Sequence, residues 1–223
     1  MPLPCPPRLA CRPHLRAQAM SVFTYPLMKT LLYLHGFNSS PASIKAQQTA
    51  AWLAERNLGQ HFHCPALHYS PARAASQIAS WLADRNPADV TCVGSSLGGF
   101  YATWVAERYG CRAVLINPAV RPHTLLDGLL GPQRNLYTGE EYLLTRDHMA
   151  ELVTLLPTNL TPARYWLLVE TGDETLDYRQ AVDYYAGARQ TVFDGGDHGF
   201  QHWQAMLPEV LAYAGIGPPA AQP

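Results

Sequence analysis

The stretch Asp89-Val90-Thr91-Cys92-Val93-Gly94-Ser95-Ser96-Leu97-Gly98-Gly99 decides how this chain reads. Asp89–Gly94 is an apolar run of strand length, and Leu97–Tyr109 reads as a helix. Between them, Gly94-Ser95-Ser96-Leu97-Gly98 is a G-x-S-x-G pentapeptide centred on Ser96. A serine hydroxyl is a poor nucleophile unless it is held exposed beside a base. A strained strand-to-helix turn holds it so, and the tightness of that turn demands glycine on both sides of the serine. Ser95 does not satisfy this register. A turn of this kind can instead bind phosphate or merely pack tightly, but the chain has neither a G-x-G-x-x-G run nor a Walker lysine.

On both sides of this turn, strand-like and helix-like segments alternate. Before it come a strand at Thr30–His35, a helix from the Ser40-Pro41 cap signal to about Arg56, and a strand at His61–Leu67. A second cap-plus-proline signal at Ser70-Pro71 opens a helix to about Asp84. After the turn come a strand at Arg112–Asn117, a strand at Arg164–Val169, a helix at Asp177–Ala186, a strand at Gln190–Asp194 and a helix at His202–Tyr213. This alternation predicts an α/β protein whose mostly parallel sheet is covered by helices on both faces. Pro118–Pro162 interrupts the rhythm. It shows no convincing strand, but Leu125, Leu126, Leu129 and Leu130 recur at helical spacing, followed by Tyr142, Met149, Leu152, Val153 and Leu156. It reads as a small helical lid inserted beyond the strand ends, at about 119–162. Leu125, Leu126 and Leu129 are its candidate substrate-binding residues. The competing reading is that they only pack the segment onto the domain.

The chain's 223 residues suit one domain with a substantial core. Hydrophobic residues make up 48% and charged residues 15%, which excludes a disordered chain. With a net charge of −1 and no basic cluster, neither a nucleic-acid groove nor an anionic membrane surface is expected as a partner. The longest apolar runs are strand-length, so no membrane span is expected. Five cysteines without C-x-x-C spacing suggest neither a disulfide framework nor a zinc knuckle, and point to a reduced, cytoplasmic location. Residues 1–28 hold six prolines, three arginines and no acidic residue. They read as a disordered extension, 29–216 as the folded domain and 217–223 as a flexible tail.

A base for Ser96 is expected after the last strand, where Gly195-Gly196-Asp197-His198-Gly199-Phe200 presents His198 on a glycine-rich loop. His61 and His63 alternate along one strand face, and His198 and His202 lie four apart, but no Glu or Cys completes either pair, so no metal is expected. His35 is read as shaping its loop. The acid is expected on the loop after Arg164–Val169, with Asp173 preferred and Glu174 and Asp177 as alternatives. Asp177 also reads as the cap of the helix that follows, with Gln180 three residues on. The oxyanion donors are expected to be the amide of Leu97, at a helix N-terminus, and the amide of Phe37 in His35-Gly36-Phe37, with Asn38 as the alternative.

The stretches LLYLHGFNSSP (31–41), VGSSLGGFYATW (93–104), NPAVRP (117–122), YTGEEY (137–142), TGDETLDYRQAVDYY (171–185) and GGDHGF (195–200) resemble the YqiA-like esterases, in order and over nearly the whole chain from Thr30 to Ile216. The resemblance implies an α/β-hydrolase fold and esterase activity on short acyl esters, or on acyl-CoA thioesters, without metal or cofactor. It maps nucleophile, base and acid onto Ser96, His198 and Asp173. The expected activity is therefore hydrolysis of a small-molecule acyl ester through an acyl-enzyme. A thioesterase, with Arg121, Arg134 and Arg146 gripping the CoA phosphates, and an inactive hydrolase fold serving as an interaction module are the alternatives. The sequence is silent on oligomeric state.

Overall fold

The computed structural model describes residues 28–217. The extension and the tail expected from the sequence thus lie outside the described residues, apart from Met28 and Gly217. Six strands form one parallel sheet: β1 (Thr30–Leu34), β2 (Phe62–His63), β3 (Val90–Ser95), β4 (Arg112–Ile116), β7 (Tyr165–Glu170) and β8 (Arg189–Phe193), in the order β2-β1-β3-β4-β7-β8. Side chains alternate strictly between its two faces, as the pleat requires. Leu31, Tyr33, Val93, Val114, Ile116, Trp166 and Leu168 pack with α1 (Ile44–Ala54) and α7 (Trp203–Ala214). Leu32, Leu34, Cys92, Leu115, Leu167 and Val169 pack with α2 (Pro71–Leu82), α3 (Leu97–Tyr109) and α6 (Tyr178–Tyr184). A sheet buried on both faces needs continuous apolar strands, which is why the central strands lack polar positions except near their ends.

The chain runs from β1 outward to β2 and then returns to place β3 on the other side of β1. The C-terminal ends of β1 and β3 therefore part at a topological switch point, where an open α/β sheet leaves a crevice. The loop after β1 and the turn after β3 line that crevice.

Three expectations are corrected. The segment after β4 is not strand-free: α4 (Pro122–Leu126) leads into an antiparallel hairpin, β5 (Gly131–Arg134) and β6 (Glu141–Leu144), and then α5 (Arg146–Thr154). The first helix starts at Ile44, not at Pro41. The Ser40 hydroxyl accepts from Ala42 N at 3.0 Å and closes a turn of its own, and Ser43 is the extended residue that enters the helix. The second strand is only Phe62–His63, because Pro65 has no N–H to extend a ladder on this edge. His61 and His63 do not meet at a shared site: His61 Nδ1 bonds the Lys29 carbonyl at 2.6 Å, and His63 stacks on Trp81. Among the described residues, no helix is long and apolar enough to cross a membrane.

Candidate active site

Ser96 joins β3 to α3 with φ 55° and ψ −120°, a backbone state that costs a non-glycine residue about 1–3 kcal/mol. The surrounding chain enforces it. Ser96 N–H donates to the Ile116 carbonyl at 3.0 Å, and the Ser96 carbonyl accepts from Gly99 N at 2.9 Å and Ala119 N at 3.1 Å. A Cβ at Gly94 would overlap the Gly98 carbonyl, and one at Gly98 would overlap the Leu34 carbonyl. The two glycines of the pentapeptide are there because the backbone passes too close for any side chain.

The Ser96 hydroxyl lies 3.1 Å from His198 Nε2, and His198 Nδ1 lies 2.9 and 3.0 Å from the two carboxylate oxygens of Asp173. A carboxylate can only accept, so Nδ1 carries the proton and Nε2 is left to accept from Ser96. The Asp173 side chain is 1% exposed and that of His198 25%. Asp173 Oδ1 also accepts from Thr175 N at 2.9 Å and Leu176 N at 2.8 Å, which locks the carboxylate plane. The other two acids of this loop reach different partners. Glu174 accepts from the backbone N–H of His198 at 3.0 Å, and Asp177 caps α6 through Arg179 N at 3.1 Å.

The amides of Leu97 and Phe37 donate to no backbone acceptor among the described residues. Leu97 N opens α3, where the helix dipole adds to the field. Phe37 lies beside the serine because Gly36 does, with the Ser96 Oγ 3.8 Å from where a Gly36 Cβ would stand. His35 holds this loop in register: its Nδ1–H donates to the Gly36 carbonyl at 3.1 Å and its Nε2 accepts from Leu67 N–H at 3.0 Å. Burial pushes the His35 pKa down, in keeping with a ring that needs one protonated and one bare nitrogen. Asn38 faces the hairpin, with Tyr142 donating to its Oδ1 at 2.6 Å and its Nδ2 donating to Gln133 at 3.1 Å.

A cavity of about 600 Å³ opens over Ser96 and His198. Leu125, Leu126 and Leu129 all line it, joined by Pro122, Leu136 and Tyr137 of the insertion. Leu130 does not line it. Arg121, Arg134 and Arg146 are exposed and do not line it either.

Two residues that hold the site together were not singled out from the sequence. Glu170, the last residue of β7, is fully buried and accepts from Asp197 N at 2.8 Å, from His202 N at 3.0 Å and from the His202 ring at 2.7 Å. Burial raises its carboxyl, but these bonds outweigh that and hold it below the usual carboxylate range. Asn117 donates to the carbonyls of Asp197 at 3.0 Å and His198 at 3.3 Å, and accepts from Glu170 N at 3.1 Å. Together they clamp the loop that carries His198. The readable signal was a carboxylate ending an otherwise apolar strand, since a buried carboxylate must be bonded.

The strand order and the serine turn at its switch point define the class: this is an α/β-hydrolase fold. The chain belongs to the family described as an uncharacterised protein family, UPF0227, which residues 30–215 match. Among solved structures it is similar to alpha/beta hydrolase domain-containing protein 10 from mouse, at 16% identity over 82% of this chain and 90% of that one, with a TM-score of 0.60. It is similar to Est1E from Butyrivibrio proteoclasticus at 15% identity, over 84% and 88% of the two chains, with a TM-score of 0.59. It is also similar to a monoacylglycerol lipase from Paleococcus ferrophilus at 13% identity, over 84% and 96%, with a TM-score of 0.58. At these identities the likeness establishes the fold.

Proposed function

We propose that this protein is a serine hydrolase that cleaves carboxylic esters of small molecules through an acyl-enzyme. The observation that carries the reading is the continuous bond path from Ser96 Oγ through His198 to the buried Asp173, on the floor of an apolar cavity. Ser96 Oγ attacks the acyl carbonyl while His198 Nε2 takes its proton. The oxyanion that forms accepts from the Leu97 and Phe37 amides. Its collapse breaks the bond to the alcohol oxygen, which leaves with the proton from His198. Water then gives a proton to His198 and attacks the acyl-enzyme, releasing the carboxylic acid and returning the proton to Ser96. Asp173 accepts from Nδ1–H throughout and stabilises the imidazolium.

The lining favours an apolar acyl group, with Leu125, Leu126 and Leu129 on the insertion side. One structural relative, the monoacylglycerol lipase from Paleococcus ferrophilus, is an enzyme of ester chemistry, which agrees with this reading. The exposed positions of Arg121, Arg134 and Arg146 give no support to a CoA grip. A fluorophosphonate probe should label the wild-type protein stoichiometrically at Ser96, and nitrophenyl esters should turn over with production of the free acid. Absence of both would overturn the hydrolase reading and leave the fold as an interaction module.

A further inference from the structure

Among the described residues, Lys45 is the only lysine or arginine that lines the cavity over Ser96. It sits in the first turn of α1, and its Nζ donates to the Gly199 carbonyl at 2.7 Å. Gly199 directly follows His198, so the ammonium is tethered next to the base. An ammonium has three donors. One is used, and no carboxylate among the described residues forms an ion pair with Lys45. The acids whose charge it feels most, Asp197, Glu170 and Asp173, have other partners. Glu170 is bonded to His202, Asp173 to His198, and Asp197 accepts from Gln201 through Oδ2 at 3.0 Å. Burial lowers the Lys45 pKa, and those three carboxylates oppose the fall.

A half-buried cation beside a largely apolar lining keeps part of its desolvation cost unless something pairs with it, and such a pocket gains nothing from one for neutral acyl chains. We propose that Lys45 selects substrates that carry an anionic group, receiving it with the two donors that Gly199 leaves free. This rests on the ester-hydrolase reading above and narrows its substrate class to anionic esters. The anion belongs to the acyl part or to the alcohol part of the ester, and the experiment separates them. The competing role is structural: Lys45 anchors the His198 loop through Gly199, with the buried and unbonded Asp197 Oδ1 as a nearby countercharge.

The test compares matched acids and amides. On the acyl side, the nitrophenyl monoester of glutaric acid is set against its 4-carbamoylbutyrate counterpart. On the alcohol side, 4-acetoxybenzoate is set against 4-acetoxybenzamide. The wild type should favour the acid over the amide in one arm by about 10- to 100-fold in kcat/KM, mostly through KM, the worth of a charge-assisted hydrogen bond. Lys45→Met should erase that ratio and Lys45→Arg should restore part of it. No preference in either wild-type arm overturns the proposal without needing a variant. A preference that survives Lys45→Met, or equal loss on acid and amide with the ratio unchanged, also overturns it and assigns Lys45 to loop anchoring. If the wild type cleaves neutral and anionic esters alike and the probe labels Ser96, the hydrolase reading stands and only the anion role falls. If neither ester turns over and no label appears, the hydrolase reading itself has failed.

Discussion

Two regions meet over Ser96 and are held by different means. In the turn from β3 into α3, backbone lies on backbone: the Gly94 and Gly98 positions leave no room for a Cβ, and the Ser96 peptide is bonded on both sides. The insertion between β4 and β7 is held mostly by side chains, with one backbone bond to the loop after β1. Tyr142 and Gln133 bond Asn38, Asn135 donates to the Ser39 carbonyl at 2.8 Å, and Leu136 N donates to the Asn38 carbonyl at 3.1 Å. Leu126, Leu144, Met149 and Leu152 pack into the core, but other apolar residues of the insertion that line the cavity stay partly in water: Leu125 is 44%, Leu129 48% and Leu136 83% exposed. The turn has one conformation because sterics exclude the rest, and changes there should be all-or-none. The hairpin of the insertion is bolted to the loop after β1 at a few points, and changes on the cavity side of the insertion should be graded.

The most severe way to break this contrast is at the serine. Ser96→Ala should lower kcat about 10⁶-fold if the three residues act as a unit, while Ser95→Ala keeps covalent labelling. Undiminished turnover in the Ser96 variant would end the hydrolase proposal. Next comes the acid: Asp173→Asn should cost about 10⁴ in kcat, and Asp177→Ala should cost only the helix cap, seen as a modest loss of stability in a urea titration and not in kcat. Equal kinetic losses at the two positions would show that the bond to His198 is not what matters.

Gly98→Ala tests the steric half of the comparison. It should lose about 3 kcal/mol of stability in urea unfolding, as overpacking against a carbonyl does. Leu126→Trp tests the graded half. Each acyl methylene buried in the wild type should raise kcat/KM about fourfold, at roughly 0.8 kcal/mol, until the cavity is full. The tryptophan should move that ceiling to shorter chains, and because Leu126 also packs in the core it should lower the melting temperature as well. Profiles of identical shape would make the insertion purely structural.

The smallest effect is on pH dependence. His35 must be neutral when folded, and its folded pKa is depressed from 6.5, so its contribution is full above pH 6.5 and is lost as pH falls through the folded value. Stability measured downward from pH 7 should fall with a slope from this residue of no more than about 1.4 kcal/mol per pH unit. Subtracting the profile of His35→Gln isolates it, and identical profiles would show that the ring is not held neutral.

How much was legible depends on how local the cause was. The strand–turn–helix around Ser96 could be read because Gly94, Ser96 and Gly98 constrain one another within five residues. The alternation of apolar strands with capped helices specified the mostly parallel sheet, and the α/β-hydrolase class came from the serine turn together with the resemblance to the YqiA-like esterases. The hairpin was hidden because Gly131-Pro132-Gln133-Arg134 carries no strand composition, and its partners on Asn38 and Ser39 lie almost a hundred residues away. The acidic loop offered Asp173, Glu174 and Asp177 within five residues, with Asp173 preferred. Their separation came from the Thr175 and Leu176 amides turning Asp173 inward, while Glu174 met a backbone amide and Asp177 a helix end. Lys45 was invisible for a related reason: nothing near it in the chain marks it, and only the placement of α1 beside the His198 loop makes it line the cavity. The sequence by itself determined the parallel sheet and the serine turn, because short-range sterics and periodicity suffice for them, and its resemblance to a known family supplied the class. The tertiary structure alone decided what holds Glu174 away from the His198 ring, what braces the loop after β1 and which cation lines the pocket, because each depends on contacts between segments far apart in the chain.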